Sequence, residues 1–550
     1  MKVFSEALPL GDLLVRSAEA NPDRLALAFP DERRTYRELL SGAIDVARGL
    51  HALGIRRGDH VGMLMQNAPE FVEGYFGVAL LGAVLVPLNA RFRSAELGYV
   101  MEHAELRAIL VSSRASGRED LRAILGQALP SLHDARAGEP LALKEAPLLR
   151  HIVSLHGPDG TGFVGRESFL RHAATTPTGI VEQARARVRV RDVALVLYTS
   201  GTTARPKGCL LTHEGISRGS AGRLRENVPL GERNVFWCPG PLFHIAAMQS
   251  LLGAIAIGGT FVTDYWFDAT RAAALVAEHE VTSLWPWFQA VMNAMLAAPG
   301  FDPAALGRVD AIILIGAESH LRHVQALFPH ALLVNGSGMS ELSGYYAMSP
   351  LDDPRDARAT TGGKAVSGVE VRIVDPETGA DAPAGHIGEI LVRGYLLMEG
   401  YFKDPERTAE AIDAEGWLHT GDLFTRDEEG HITYRGRLKD MLKVGGENVP
   451  AIEVEELLCS HPDVRLAEVV GMPDPRLDEV PVAFVELAAG SRTGADELIA
   501  WCKEKIASFK VPRAVFFKTG DAWPMSATKV NKVALRKEAA ELLDRKGTGT

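Results

Sequence analysis

Leu197-Tyr198-Thr199-Ser200-Gly201-Thr202-Thr203-Ala204-Arg205-Pro206-Lys207-Gly208 is the stretch that decides how this chain is read. Its start, Ala194 to Tyr198, is an apolar run that reads as a buried strand. The strand empties into a loop dense in hydroxyls and glycine, followed by a lysine. Glycine allows the backbone to approach a ligand closely. Successive N–H groups and hydroxyls can then surround phosphate oxygens, and Lys207 adds a positive charge. The order of Gly, Pro and Lys is not that of the GxxxxGK[ST] loop.

Outward from this loop, strand-like and helix-like segments alternate, the pattern of α/β layers. Val61 to Met65 reads as a buried strand, Glu70 to Leu81 as a helix and Ala83 to Pro87 as the next strand. Short apolar runs recur at Ala311–Ile315 and Ala331–Val334, each followed by Gly, Ser or polar residues. Ligands gather at such strand ends in open α/β sheets. The character changes near Tyr434-Arg435-Gly436-Arg437. Beyond it, helix-like runs (Ala451–Ser460, Ala495–Ser508) alternate with strand-like runs (Leu466–Val470, Val480–Leu487). The expected class is α/β: a large multi-layer N-terminal α/β body over residues 1–436 and a smaller C-terminal α+β domain over 437–550.

At 550 residues and 46% hydrophobic, the chain is too long for one ordinary core. Its formal charge of −11 gives no electrostatic case for nucleic acid as the main partner. Cys209, Cys238, Cys459 and Cys502 are scattered, with no zinc-type spacing. They read as reduced thiols, and the expected location is cytoplasmic. The N-terminus does not read as a signal peptide. The most apolar stretch, Ile245 to Val262, holds Gln249, Ser250 and Gly258-Gly259. It reads as helix, glycine turn and strand rather than a membrane span.

Further motifs follow in order. They are Asn335-Gly336-Ser337-Gly338-Met339-Ser340-Glu341; Gly388-Glu389-Ile390 with Val392-Arg393-Gly394; Gly416-Trp417-Leu418-His419-Thr420-Gly421-Asp422; Gly436-Arg437-Leu438-Lys439-Asp440; and Lys443-Val444-Gly445-Gly446-Glu447-Asn448. With the loop at Thr199, this series resembles the adenylate-forming superfamily of acyl-CoA synthetases, peptide-synthetase adenylation domains and firefly luciferase, over nearly the whole chain. The resemblance implies a mobile C-terminal domain. It also implies activation of a carboxylic acid by ATP as an acyl-adenylate, followed by thioester formation with coenzyme A. Loading of a carrier protein, or a non-catalytic nucleotide-binding relative, are the alternatives. A homodimer is compatible with it.

The resemblance assigns ATP phosphates to Thr199, Ser200, Gly201, Thr202, Thr203 and Lys207. It puts adenine near Gly316, Ala317, Glu318, Ser337, Gly338 and Met339, phosphate at Ser340, and ribose or phosphate at Asp422, Tyr434 and Arg437. A carboxylate suits Mg²⁺, which takes one or two carboxylates plus phosphates, and Glu341 is the implied ligand. Asp422 alone could equally cap a helix after Gly421, and Arg437 could be a surface ion pair. The family commonly has Pro where this chain has Glu318, and an aromatic where it has Ser337. Lys529, in Pro524-Met525-Ser526-Ala527-Thr528-Lys529-Val530, resembles the catalytic lysine, with Lys532 as rival. Lys439 is the implied hinge, and Lys443, Gly445, Gly446 and Glu447 the implied path for the CoA thiol.

Peptide-synthetase domains place an Asp after a Phe to meet the substrate amine. This chain has His244 in Pro241-Leu242-Phe243-His244-Ile245. A histidine does not pair with an ammonium, so the expected substrate is a simple acid. The implied acyl pocket draws on His244, Ile245, Ala247, Trp287, Gly316 and Gly338. Fatty, aromatic and alicyclic acids all stay open. Ala507-Ser508-Phe509-Lys510-Val511-Pro512 resembles a segment frequent in CoA ligases.

Overall fold

The apolar runs become the strands of two large sheets in a computed structural model that describes residues 7–112, 120–136, 139–199, 206–444, 447–526 and 529–547. The chain packs as two units, Met1–Glu370 with Val392–Leu418, and Val371–Leu391 with His419–Thr550. The dividing line falls inside the strands Val369–Val374, Gly388–Gly394 and Leu418–Arg426 rather than in a linker.

The first unit holds two seven-stranded sheets. One runs, in spatial order, Phe163–Val164, His151–His156, Ala108–Ser112, His60–Met65, Val84–Pro87, Val193–Thr199 and Lys207–Thr212. Its pairs are parallel except the last, which is antiparallel. The other runs Leu332–Val334, Ala311–Ile315, Ser283–Phe288, Val235–Trp237, Thr260–Val262, Leu25–Ala28 and Arg33–Thr35. It too is parallel except for its final pair. Parallel strands are buried on both faces, so they read as continuous apolar runs. The stretch from Ile245 resolves as expected into the helix Ile245–Ala256, a turn with Gly258 at φ +67, and the strand Thr260–Val262.

The second unit centres on a five-stranded sheet of Glu447–Pro450, Met441–Val444, Asp478–Leu487, Val464–Asp474 and Ala514–Phe517. The helices Ala451–Cys459 and Ala495–Lys503 pack on it through Val454, Leu458, Leu498 and Cys502. The expected helix from Ala495 ends at Lys503 rather than Ser508, and a short 3₁₀ turn covers Ser508–Lys510. Among the described residues no helix is long and apolar enough to cross a membrane.

The helix Pro69–Leu80 is buried on every side and carries Glu70, which is 2% exposed. Burial pushes the Glu70 carboxyl up to about 7, with Glu73 adding to the rise and Arg166 and Arg34 opposing it. An unfolded glutamate titrates near 4.5. Between these values the folded chain holds a proton that the unfolded chain has released, so stability falls as pH rises through that window. Glu70→Gln is expected to be more stable than the parent at pH 8, by roughly 3 kcal/mol at most, and similar at pH 4.5. Denaturant unfolding at both pH values checks this. An unchanged pH slope in the variant refutes it.

Candidate active site

The strand Val193–Thr199 and the strand Lys207–Thr212 form one antiparallel pair, with Thr199 opposite Lys207. The expected phosphate residues Ser200, Gly201, Thr202 and Thr203 lie outside the described residues. The two ends of that loop are therefore held in register by the sheet. A later segment adds to the same edge. Glu399 N–H donates to the Leu210 carbonyl (2.9 Å), Leu210 N–H to Gly400 (3.0 Å) and Phe402 N–H to Gly208 (2.7 Å).

This edge pairing delivers Tyr401. The Lys207 ammonium sits 4.7 Å from the centroid of its ring, and its hydroxyl donates to Glu341 Oε1 at 3.1 Å. Three expected or newly found groups thus meet: the loop lysine, a phenol and the expected metal carboxylate. Burial and the Glu341 charge push the Tyr401 phenol well above its usual range. Cys209 is fully buried beside them, hydrogen-bonded to Thr199, and burial raises its thiol in turn. It is inert packing rather than a nucleophile.

Glu341 sits in a 3₁₀ turn, Ser340–Leu342. The turn is followed by Ser343 at φ 49 and Gly344 at φ +107. A Cβ on Gly344 would overlap the Gln249 side chain at 1.9 Å. The Gln249 amide donates to the Ser343 carbonyl, and its oxygen accepts from Tyr345 N–H at 3.3 Å. Gln249 therefore fixes the turn that carries Glu341. The Glu341 carbonyl accepts from Met398 N–H at 2.8 Å, tying the turn to the Tyr401 segment. Tyr401 did not stand out in the sequence, and Gln249 read only as a polar residue within an apolar stretch. Gly400-Tyr401 lies just after the Val392-Arg393-Gly394 motif, which was the available signal.

Gly316 and Ala317 follow the strand Ala311–Ile315 at the C-terminal end of its sheet, where α/β folds collect ligands. Gln289 and His320 flank Gly316. Glu318 begins the helix Glu318–Leu327 and pairs with Arg322 at 2.7 Å on its exposed face. Ser337, Gly338 and Met339 belong to the strand Gly336–Met339, opposite Ala347, Tyr345 and Gly344. His244 caps the helix Ile245–Ala256, with Nδ1 accepting from Ala246 N–H at 3.5 Å. Ile245 and Ala247 are buried beneath it. Trp287 is buried at φ +65, stacks on Tyr345 (4.9 Å between centroids) and donates to Cys238 Sγ at 3.3 Å. An open cavity of about 760 Å³, missed in the sequence, adjoins this region and is lined by Asn67, Arg91, Arg93, Phe243 and Trp266.

Within the second unit, Asp422 and Arg437 face each other across adjacent strands and pair at 2.7 Å. Asp422 lies inside the strand Leu418–Arg426, so it does not cap a helix. Tyr434 hydrogen-bonds Arg437, and burial and the Asp422 charge raise its phenol. Three expected nucleotide residues are therefore adjacent. Glu389 supports them by accepting from Gly421 N–H at 2.8 Å and meeting His419 Nδ1 at 3.0 Å. Lys439 lies in a 3₁₀ turn, Leu438–Asp440, and its carbonyl accepts from Arg536 at 3.3 Å. Lys443 N–H donates to Glu479 at 2.8 Å. Gly445 and Gly446 lie outside the described residues, and Glu447 opens the strand Glu447–Pro450. Lys529 begins a two-residue strand opposite Ser526. Its side chain lies outside the described set. Lys532 is committed elsewhere, to Glu455 (2.5 Å) and Glu468 (3.5 Å).

Residues 14–402 match the model of the AMP-binding enzyme family, and residues 453–529 match that of the AMP-binding enzyme C-terminal domain. The chain belongs to the AMP-binding enzyme family. This AMP-binding enzyme is 32% identical to a putative acyl-CoA synthetase, YngI, of Bacillus subtilis, over 97% of this chain and 98% of the relative. It is 31% identical to 4-coumarate–CoA ligase 1 of Solanum tuberosum, over 88% and 86%. The anthranilate CoA ligase AuaEII, solved in complex with anthranoyl-AMP, superposes with a TM-score of 0.83 at 26% identity, over 98% of both chains. The AMP-binding enzyme fold agrees with the expected class, a large α/β body and a smaller C-terminal domain.

Proposed function

We propose that this AMP-binding enzyme is an AMP-forming acid–CoA ligase. The single observation that carries the reading is the meeting of Lys207, Tyr401 and Glu341 at the mouth of the Thr199 loop, in a chain whose relatives include CoA ligases. In the first step an oxygen of the substrate carboxylate bonds to the α-phosphorus of ATP, and the bond to the β-phosphate oxygen breaks, releasing pyrophosphate. Thr199, the loop to Thr203, Lys207 and Ser340 hold the phosphates, and Lys529 meets the charge that builds there. Asp422, with Tyr434 and Arg437 beside it, accepts hydrogen bonds from the ribose hydroxyls. Gly316 to Glu318 and Ser337 to Met339 border the adenine.

Glu341 fits a Mg²⁺ ligand. One of its oxygens accepts from Tyr401, and among the described residues no cluster of three metal-ligating side chains forms, which suits an ion that takes most of its ligands from water and phosphate. When bound, Mg²⁺ would supply Lewis-acid charge at the phosphates. In the second step the CoA thiol attacks the adenylate carbonyl, its proton leaves to solvent, and AMP departs. His244 lies between the acid and the thiol route, and Lys443, Gly445, Gly446 and Glu447 line that route after the domain 437–550 pivots about Lys439. The cavity beside Phe243, with Arg91 and Arg93 on it, suits the CoA phosphates. The free state of all four cysteines supports a cytoplasmic location.

The test is purified protein with ATP, Mg²⁺, CoA and a panel of carboxylic acids. Acid-dependent AMP release and the matching acyl-CoA by mass spectrometry are expected. Activation of free α-amino acids without any simple acid, or pyrophosphate release with no thioester, refutes the reading.

A further inference from the structure

Two fully buried arginines in the first unit have opposite fates. Arg358 is 1% exposed, and its guanidinium donates to the carbonyls of Asp353 (3.0 Å), Leu333 (3.0 Å) and Pro350 (2.5 Å). That is a structural arginine, with each of its three nitrogens hydrogen-bonded. Arg223, in the helix His213–Asn227, is 3% exposed. Its Nε, Nη1 and Nη2 all lack a hydrogen-bond partner among the described residues. Burying a cation without a partner is costly, and folded proteins rarely do it without a use.

The surroundings give the guanidinium a direction. Gly219, one turn earlier, makes room for it: a Cβ there would meet Nη1 at 2.8 Å. Among the described residues, the titratable groups acting on Arg223 are the phenols of Tyr395 and Tyr345, with no carboxylate among them. The Tyr345 hydroxyl is itself buried and has no hydrogen-bond partner among the described residues. Burial pushes the Arg223 pKa down only to about 10, so the group stays cationic at neutral pH. Tyr345 is the residue that stacks on Trp287 and stands opposite Gly338. Both of these belong to the expected acyl pocket. Two unanswered donors, a fork and a phenol, thus lie behind the wall of the site that receives the acid.

We infer that Arg223 and Tyr345 receive a second carboxylate at the far end of the substrate, so that the preferred acid is a dicarboxylate activated at one end and held at the other. This rests on the acid–CoA ligase reading. A planar fork matches a carboxylate in two parallel hydrogen bonds, and the anion supplies the charge that the protein withholds.

The experiment uses the full chain and three acid series matched in length, ending in methyl, methyl ketone or carboxylate. Thioester formation is measured as kcat/KM for the parent, Arg223→Met, Arg223→Lys and Tyr345→Phe. The parent is expected to favour the carboxylate-ended series about 10–100-fold over the methyl-ended one, the range that charge-assisted hydrogen bonds provide. Arg223→Met is expected to collapse that ratio to near one, and Tyr345→Phe to lower it by a few-fold. A parent that ligates methyl-ended acids equally well or better overturns this inference and leaves the ligase reading standing. So does an unchanged ratio in Arg223→Met, or equal use of the ketones. Should Arg223→Met fail to fold, Arg223→Lys decides, since it keeps the charge and loses the fork. A ratio unchanged there is likewise contrary. A parent that ligates none of the three series overturns the ligase reading itself.

Discussion

Lys529→Ala is expected to slow acyl-adenylate formation about 10²–10³-fold while leaving CoA capture of a supplied acyl-adenylate within a few-fold. The reason is that a lysine charge aimed at the transferring phosphoryl group stabilises only the first transition state. Removing one preorganised contact of that kind has this typical cost. Lys532 is the natural control, because the structure gives it another task. Its ammonium joins Glu455 and Glu468, and it is 18% exposed. Burial and the neighbouring Glu455 already push the Glu468 carboxyl up. Lys532→Ala leaves these two carboxylates facing each other and is expected to cost about 3–5 kcal/mol of stability. Single-turnover kinetics of each half-reaction, with thermal unfolding of both variants, separate the two. Equal loss of both half-reactions in folded Lys529→Ala contradicts the assignment, as does a selective adenylation defect in folded Lys532→Ala.

Glu341→Gln is expected to lower adenylation by a similar factor, about 10²–10³, and to raise the Mg²⁺ concentration needed for half-maximal rate. The amide keeps the shape and can still accept from Tyr401, but it removes the negative charge that would hold a hard cation under the proposed role. Tyr401→Phe keeps that charge and loses one hydrogen bond, so its effect is expected to be about tenfold or less. Magnesium titrations of the adenylation rate in both variants are the measurement. A loss in Glu341→Gln that is independent of magnesium points to a merely structural glutamate.

The strands of the two large sheets were legible because burial on both faces leaves short unbroken apolar runs, as in Val61–Met65 and Ala311–Ile315. The strands Met441–Val444 and Glu447–Pro450 were not, since Lys443 and the glycines between them mask the run. The final helix Lys532–Gly547 was missed because its polar residues outnumber the few that reach the core, Leu535 and Ala539. Among the candidate site residues, those carried by contiguous motifs could be named from the sequence: Lys207, Glu341, Asp422 and Arg437. Tyr401 meets Glu341 across 60 positions, and Gln249 meets Ser343 across 94. No local pattern marks such pairs. Arg223 read as one more polar residue of a helix, and only the structure shows it buried with no hydrogen-bond partner among the described residues.

Tyr401 touches a cation through its ring and a carboxylate through its hydroxyl. Lys207, Tyr401 and Glu341 therefore form an epistatic unit. Contacting residues depart from additivity by about 0.5–3 kcal/mol, in either direction. The effect of any exchange at Lys207 then depends on which residue already occupies position 341, and the order in which substitutions accumulate decides which intermediates keep working. A library that varies these three positions one at a time would undercount the functional combinations. Their tolerance is a property of the trio.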